Sequence, residues 1–158
     1  MPIVVTNFFM GPTVRHYYNV GFGVGHNRRN NPLDVLLVQF FLNLLKGTVG
    51  GQWLGTPLAI DGLCRDLTED AIRRFQSSWN RIHGHHKPRL DEDAIVSPAR
   101  GAWRPVPNKT WTIVALNALV GNETSGVGPD MYCRLDTHPR CPPPLRAFFV
   151  AAPKRLVP

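Results

Sequence analysis

Cysteine is nearly absent from this chain, with three among 158 residues, and acidic side chains are few, 11 Asp and Glu against 18 Lys and Arg. An odd, small cysteine count excludes the paired framework of a disulfide-stapled domain. Cys133 and Cys141 could close a short Pro-rich loop, with Cys64 in the body of the fold, but three thiols are the expected state given the odd count and the lack of a leader. Long apolar runs are missing too. The longest, Val35 to Leu45, is interrupted by Gln39 and Asn43 and is too short to span a bilayer. Met1 to Met10 has no basic n-region and runs into Gly11-Pro12, so no secretory signal is expected, and the chain reads as a soluble protein made in the cytoplasm. Nor is there a dense basic run. The net charge of +7 is dispersed over Arg28, Arg29, Arg65, Arg73, Arg74, Arg81, Lys87, Arg89, Arg100 and Arg104, which suits an anionic partner but counts against nucleic acid.

What the chain does have is apolar residues, 43% of the total, and residues that turn it, 15 Pro and 14 Gly. That composition describes a globular, turn-rich chain with one core and decorated ends. Residues 1–31 read as a β-hairpin, with strands from Ile3 to Phe9 and Val14 to Tyr18, followed by a Gly-rich link. Residues 32–121 read as a helical domain. Asn31 caps its first helix, Pro32 suits the first turn and Asp34 opposes the helix dipole, so a helix is predicted from Pro32 to Lys46, ending at Gly47. It is apolar on most sides and must be central. Thr68 is the expected cap of a second helix, amphipathic through Ile72, Phe75, Trp79 and Ile82, which ends near His83-Gly84. Asn108 or Thr110 can cap a third, through Leu116 and Leu119 to Val120. The expected core comprises Leu37, Val38, Phe41, Leu42, Ile72, Phe75, Leu116 and Leu119. Residues 122–158 form a Pro-rich extension in which Cys141-Pro142-Pro143-Pro144 argues against helix and Arg146 to Ala152 reads as a late strand pairing with the N-terminal hairpin.

Several pieces stand in a suggestive order. They are Asp34 to Gln39 with Leu42-Asn43, then Ile60-Asp61-Gly62 with Thr68, and Ala71-Ile72-Arg73-Arg74-Phe75-Gln76. Asp93-Ala94-Ile95-Val96-Ser97-Pro98 and Thr110-Trp111 with Leu116-Asn117 complete the series. Asp61-Gly62 with Thr68 is loosely echoed by Asp93-Ala94 with Thr110. An Asp-Gly pair reverses the chain while its carboxylate accepts backbone N–H groups, and a Thr launches the next helix. Over residues 32–120 this order resembles the peptidoglycan-binding domain found beside many wall hydrolases. The resemblance implies a mainly α fold, a three-helix bundle with short β-strands contributed by the N- and C-terminal extensions. It also implies a partner in peptidoglycan, glycan or stem peptide. The chain departs from the family at Cys64-Arg65, where Phe-Gly is common, at Ala94, and in an insertion from Ala99 to Lys109.

Catalytic chemistry finds little support. His83, His85 and His86 could hold a divalent metal, and Cys133, His138 and Cys141 three zinc positions, but a solvated helix exit and an incomplete ligand set are the simpler readings. Asp91, Glu92 and Asp93 are adjacent and diverge, unlike a glycosidase pair that faces one sugar from two sides. No serine lies in a nucleophile elbow. The expectation is a non-enzymatic wall-binding protein without cofactor or metal, whose ligand site is drawn from Trp53, Asp61, Arg65, Gln76, Asp93 and Trp103. Trp79 and Trp111 read as structural. Action at the wall would need export outside the general secretory route, as cargo or accessory of a type VI secretion effector. The alternatives are a protein–protein adaptor that keeps the bundle but lost the sugar site, and a wall amidase or peptidase.

Overall fold

The computed structural model describes residues 1–6, 16–45, 56–100 and 107–152. It is mainly α-helical with short strands. Strands β1 (Ile3–Thr6) and β2 (His16–Asn19) pair antiparallel, Ile3 opposite Asn19, as the two arms of the expected hairpin; its expected inner strand ends at Phe9 and Val14 and its turn lie outside the described residues. Helix α1 (Pro32–Leu44) is central and packs against α2 (Asp66–His83), α3 (Thr112–Val120) and α5 (Pro143–Ala151). Asn31 caps α1 as its position suggests, its side chain accepting from Leu33 N. The expected core residues are buried, Phe75 at 1% exposure among them.

Five points differ from the sequence reading. Thr68 does not cap α2; the cap position is Arg65, without a side-chain bond, and Thr68 is turned inward for a different purpose. The third helix begins later, at Thr112. A second small sheet, β3 (Val24–Gly25) with β4 (Ile95–Val96), joins the Gly-rich link to the segment after α2. Gly25 has φ 131°, and a Cβ there would meet Ala94 O at 2.3 Å, so only glycine allows this approach. A short helix, α4 (Gly128–Tyr132), lies in the region read as irregular.

The largest correction concerns the C-terminal extension, where the expected strand over Arg146 to Ala152 is helix α5. Prolines 143 and 144 fall in its first turn, where N–H groups have no intrahelical partner and a fixed φ is favourable. The buried residues Leu145 and Phe149 lie one turn apart, which is helical spacing. Phe149 stacks edge-on against Tyr18 at 4.8 Å between centroids and lies 6.1 Å from Phe40, so α5 seals the back of α1 and β2.

Asp34, expected to act on the helix dipole, is fully buried. Its carboxylate accepts from the backbone N–H groups of Gly21 and Phe22 and from the Met1 amino group, tying the N-terminal region to α1.

Candidate functional site

Two loops repeat one construction. On α1, Gln39 and Asn43 stand one turn apart and point inward. The Gln39 carbonyl accepts from Asp61 N and Gly62 N at 3.1 and 3.0 Å, and its amide donates to Asp61 Oδ1, Leu63 O and Thr68 Oγ1. On α2, Gln76 and Asn80 do the same. The Gln76 carbonyl accepts from Ala94 N at 2.9 Å, and its amide donates to Asp93 Oδ1, Ile95 O and Thr112 Oγ1. Each Asp closes its own turn by accepting from the backbone N–H two residues on, Leu63 or Ile95. Each turn has a left-handed residue after the Asp, Gly62 at φ 75° and Ala94 at φ 60°. Each Asn clamps one backbone residue in both directions, Asn43 on Leu58 and Asn80 on Leu90. A buried carboxamide has both a donor and an acceptor end, so one side chain can satisfy a backbone that belongs to no sheet.

This frame corrects the echo read from sequence: the partner of Thr68 is Thr112, not Thr110. It also defines the place of the residues expected to bind ligand. Gln76 is wholly buried and spent on the second loop, so it shapes that surface without reaching it. Asp61 and Arg65 sit together at the edge of the first loop, Arg65 Nη1 at 2.6 Å from Asp61 Oδ2, with the Arg65 side chain 64% exposed. The Leu63 N–H holds the Asp61 carboxyl below its usual range; burial opposes this, and Gln39 and Arg65 add to the lowering. Asp93 lies at the edge of the second loop. Beside it is a notch of about 80 Å³ bordered by Asp91, Asp93, Ile95, Ser97 and Trp111. Trp53 and Trp103 lie outside the described residues.

Trp111, which reads as structural in the sequence, is only partly so. It stands at the cap position just before α3, half-buried, with one side on the notch. Trp79 is buried as expected and donates its indole N–H to Pro88 O at 2.9 Å. None of the three cysteines forms a disulfide among the described residues, and burial raises Cys141 to about 11. Among the described residues no group of three His, Cys, Asp or Glu side chains could hold a metal ion. No helix among them is long and apolar enough to cross a membrane.

The chain matches no family model, no curated protein and no solved structure. Two rigid polar turns, one edged by an exposed Arg–Asp pair and the other by a Trp-lined notch, can bind a polar ligand through charge and stacking.

Proposed function

We propose that this chain is a non-catalytic cell-wall binding module with a peptidoglycan-binding-domain-like fold, in which three helices, α1 to α3, are joined by the two Asp loops. The observation that supports it best is the repeated frame of Gln, Asp turn and Thr. It accounts for why those residues stand in family-like order: each Gln bonds the Asp turn that follows it and the Thr of the next helix. On this reading Arg65 exchanges Asp61 for a stem-peptide carboxylate, using the fork geometry of its guanidinium. An exposed ion pair is worth at most about 1 kcal/mol, so the exchange costs little. Asp93 and the notch beside it contact sugar, with Trp53 or Trp103 supplying a stacking face. Delivery with a type VI effector, as cargo or accessory, belongs to the same proposal.

A protein adaptor is the second reading, favoured by Leu63 and Leu67, which are 48% and 74% exposed beside the first loop. A pull-down on purified sacculi at low and high salt separates the two. Exposed charges are screened over about 10 Å at 0.1 M salt, so Arg65→Ala should weaken retention mainly at low salt and Trp103→Ala at both. Wild-type protein that binds sacculi at neither salt, yet copurifies with one protein, would replace wall binding by the adaptor. Release of soluble muropeptides would instead restore the amidase or peptidase reading.

A further inference from the structure

Past the end of α2 the chain makes another surface feature, separate from both Asp turns. A cavity of about 430 Å³ opens between Gly84–Arg89 and Asn108. Its lining includes His85, His86, Lys87 and Arg89, all exposed, and no carboxylate. The backbone beneath them is firmly held. His86 N and Lys87 N both donate to His83 O, at 3.0 and 2.8 Å, and the Trp79 indole holds Pro88 O. Arg89 N donates to Asn108 O at 2.8 Å, and Thr110 N to Arg89 O at 2.9 Å. Asn108 adopts φ 61°, a conformation that Asn tolerates better than most residues, and this turns its carbonyl onto Arg89.

No carboxylate shares the lining of this cavity with its cations. Among the described residues neither Lys87 nor Arg89 is ion-paired, whereas neighbouring Lys109 is paired with Asp91. Lys87 lies 5.5 Å from the centre of the Trp79 ring, and His83 stacks on the same ring at 4.9 Å. Burial first, and then the neighbouring Lys87 and His86, push His83 below its ordinary value. Like charges held together by a fixed backbone attract an anion without reorganising.

We propose that this cavity binds a phosphoryl group carried on a sugar-sized ligand. A phosphate monoester carries about −1.5 to −2 charge at neutral pH and presents three oxygens in different directions. It can take the Arg89 fork, the Lys87 ammonium and an imidazole together, while a planar carboxylate occupies one fork and leaves the others unmet. The cavity exceeds what a bare ion needs, falling in the range of about 300–1,000 Å³ of small-molecule sites. A second cavity of about 450 Å³ shares Arg89 and Asn108 and adds Leu90 and Pro107, an apolar floor for the sugar body; Asp91 and Glu92 also line it, Asp91 paired with Lys109 and Glu92 accepting from the Asn80 amide. The site does not depend on Asp61 or Asp93 and stands whether or not the chain binds wall.

The test is a backbone-amide NMR titration of the full chain with four probes: N-acetylglucosamine 6-phosphate, N-acetylglucosamine, inorganic phosphate and a single-stranded oligonucleotide. The phosphorylated sugar should give saturable shifts confined to residues 85–90 and 107–109, inorganic phosphate should bind there at least about tenfold more weakly, and the uncharged sugar should give none. Arg89→Gln should weaken the sugar phosphate by about tenfold or more with an unchanged melting curve, and Arg89→Lys should recover only part, since it restores charge but not the fork. Absence of saturable shifts, or affinity unchanged by Arg89→Gln, overturns the site. Equal affinity for inorganic phosphate overturns its saccharide part. Tighter oligonucleotide binding, with shifts spread over Arg73, Arg74 and Arg81, overturns it in favour of nucleic acid.

Discussion

The Asp61 and Asp93 loops solve one problem with unequal means. In the first, Gln39 accepts from two successive backbone N–H groups and the left-handed position is Gly62. In the second, Gln76 accepts from one, and the left-handed position is Ala94, whose methyl is fully buried. The first loop returns to its Thr quickly, at Thr68. The second reaches its Thr much further along the chain, at Thr112, and it is braced from outside by the β3–β4 pair at Gly25. A strained residue thus persists where neighbouring structure holds it, and glycine stands where the loop must hold itself.

The comparison can be broken most forcefully at the carboxamides. Gln39→Ala and Gln76→Ala should each cost about 2–3 kcal/mol, because buried groups left unpaired cost about 1–3 kcal/mol each and the outer ones regain water. Gln39→Ala should be the worse of the two, having two backbone N–H groups to orphan. Denaturant unfolding of both variants checks this, and a loss under about 0.5 kcal/mol for either would remove its frame from the account of stability.

A smaller and more pointed test exchanges the left-handed residues. Gly62→Ala should destabilise by about 1–2 kcal/mol, since the left-handed conformation places Cβ against the following carbonyl. The new methyl would also meet Pro32 O at 3.2 Å. Ala94→Gly relieves the same strain but loses a buried methyl and loosens the unfolded chain, so the outcome should lie between no change and a gain of about 1 kcal/mol. Melting curves of the two variants should therefore move apart. A loss above about 1 kcal/mol for Ala94→Gly would mean that methyl packing outweighs the backbone term.

The smallest effect expected is on pH dependence, and it belongs to the first loop. The folded protein holds the Asp61 carboxyl below its ordinary value of 3.8. The unfolded chain therefore takes up the proton first, so the contribution is complete above the unfolded value and is lost as pH falls through the folded one. Between about pH 5 and pH 3 the melting temperature of Asp61→Asn should fall less steeply than that of wild type. Parallel slopes would show that the turn gains nothing from the charge.

Much of the helical frame could be read from residue order alone. Asn31-Pro32 started α1, and the apolar spacing of Ile72, Phe75 and Trp79 defined α2, because caps and periodicity are local effects that neighbours in sequence decide. The Asp-Gly turn was legible for the same reason. Of the candidate site, the residues Asp61 and Arg65 were singled out from the sequence, but their pairing and the notch at Trp111 were not. Tertiary structure decided the rest. Nothing local distinguishes a Gln or Asn that faces solvent from one that faces inward, so the roles of Gln39, Gln76, Asn43 and Asn80 appear only when a distant backbone needs a donor and an acceptor together. The cationic cavity appears only when Asn108 meets Arg89. Helix α5 was decided in the same way. Its prolines allow a first helical turn as readily as they forbid an interior one, and burial of Phe149 against Tyr18 and Phe40 selected the helix.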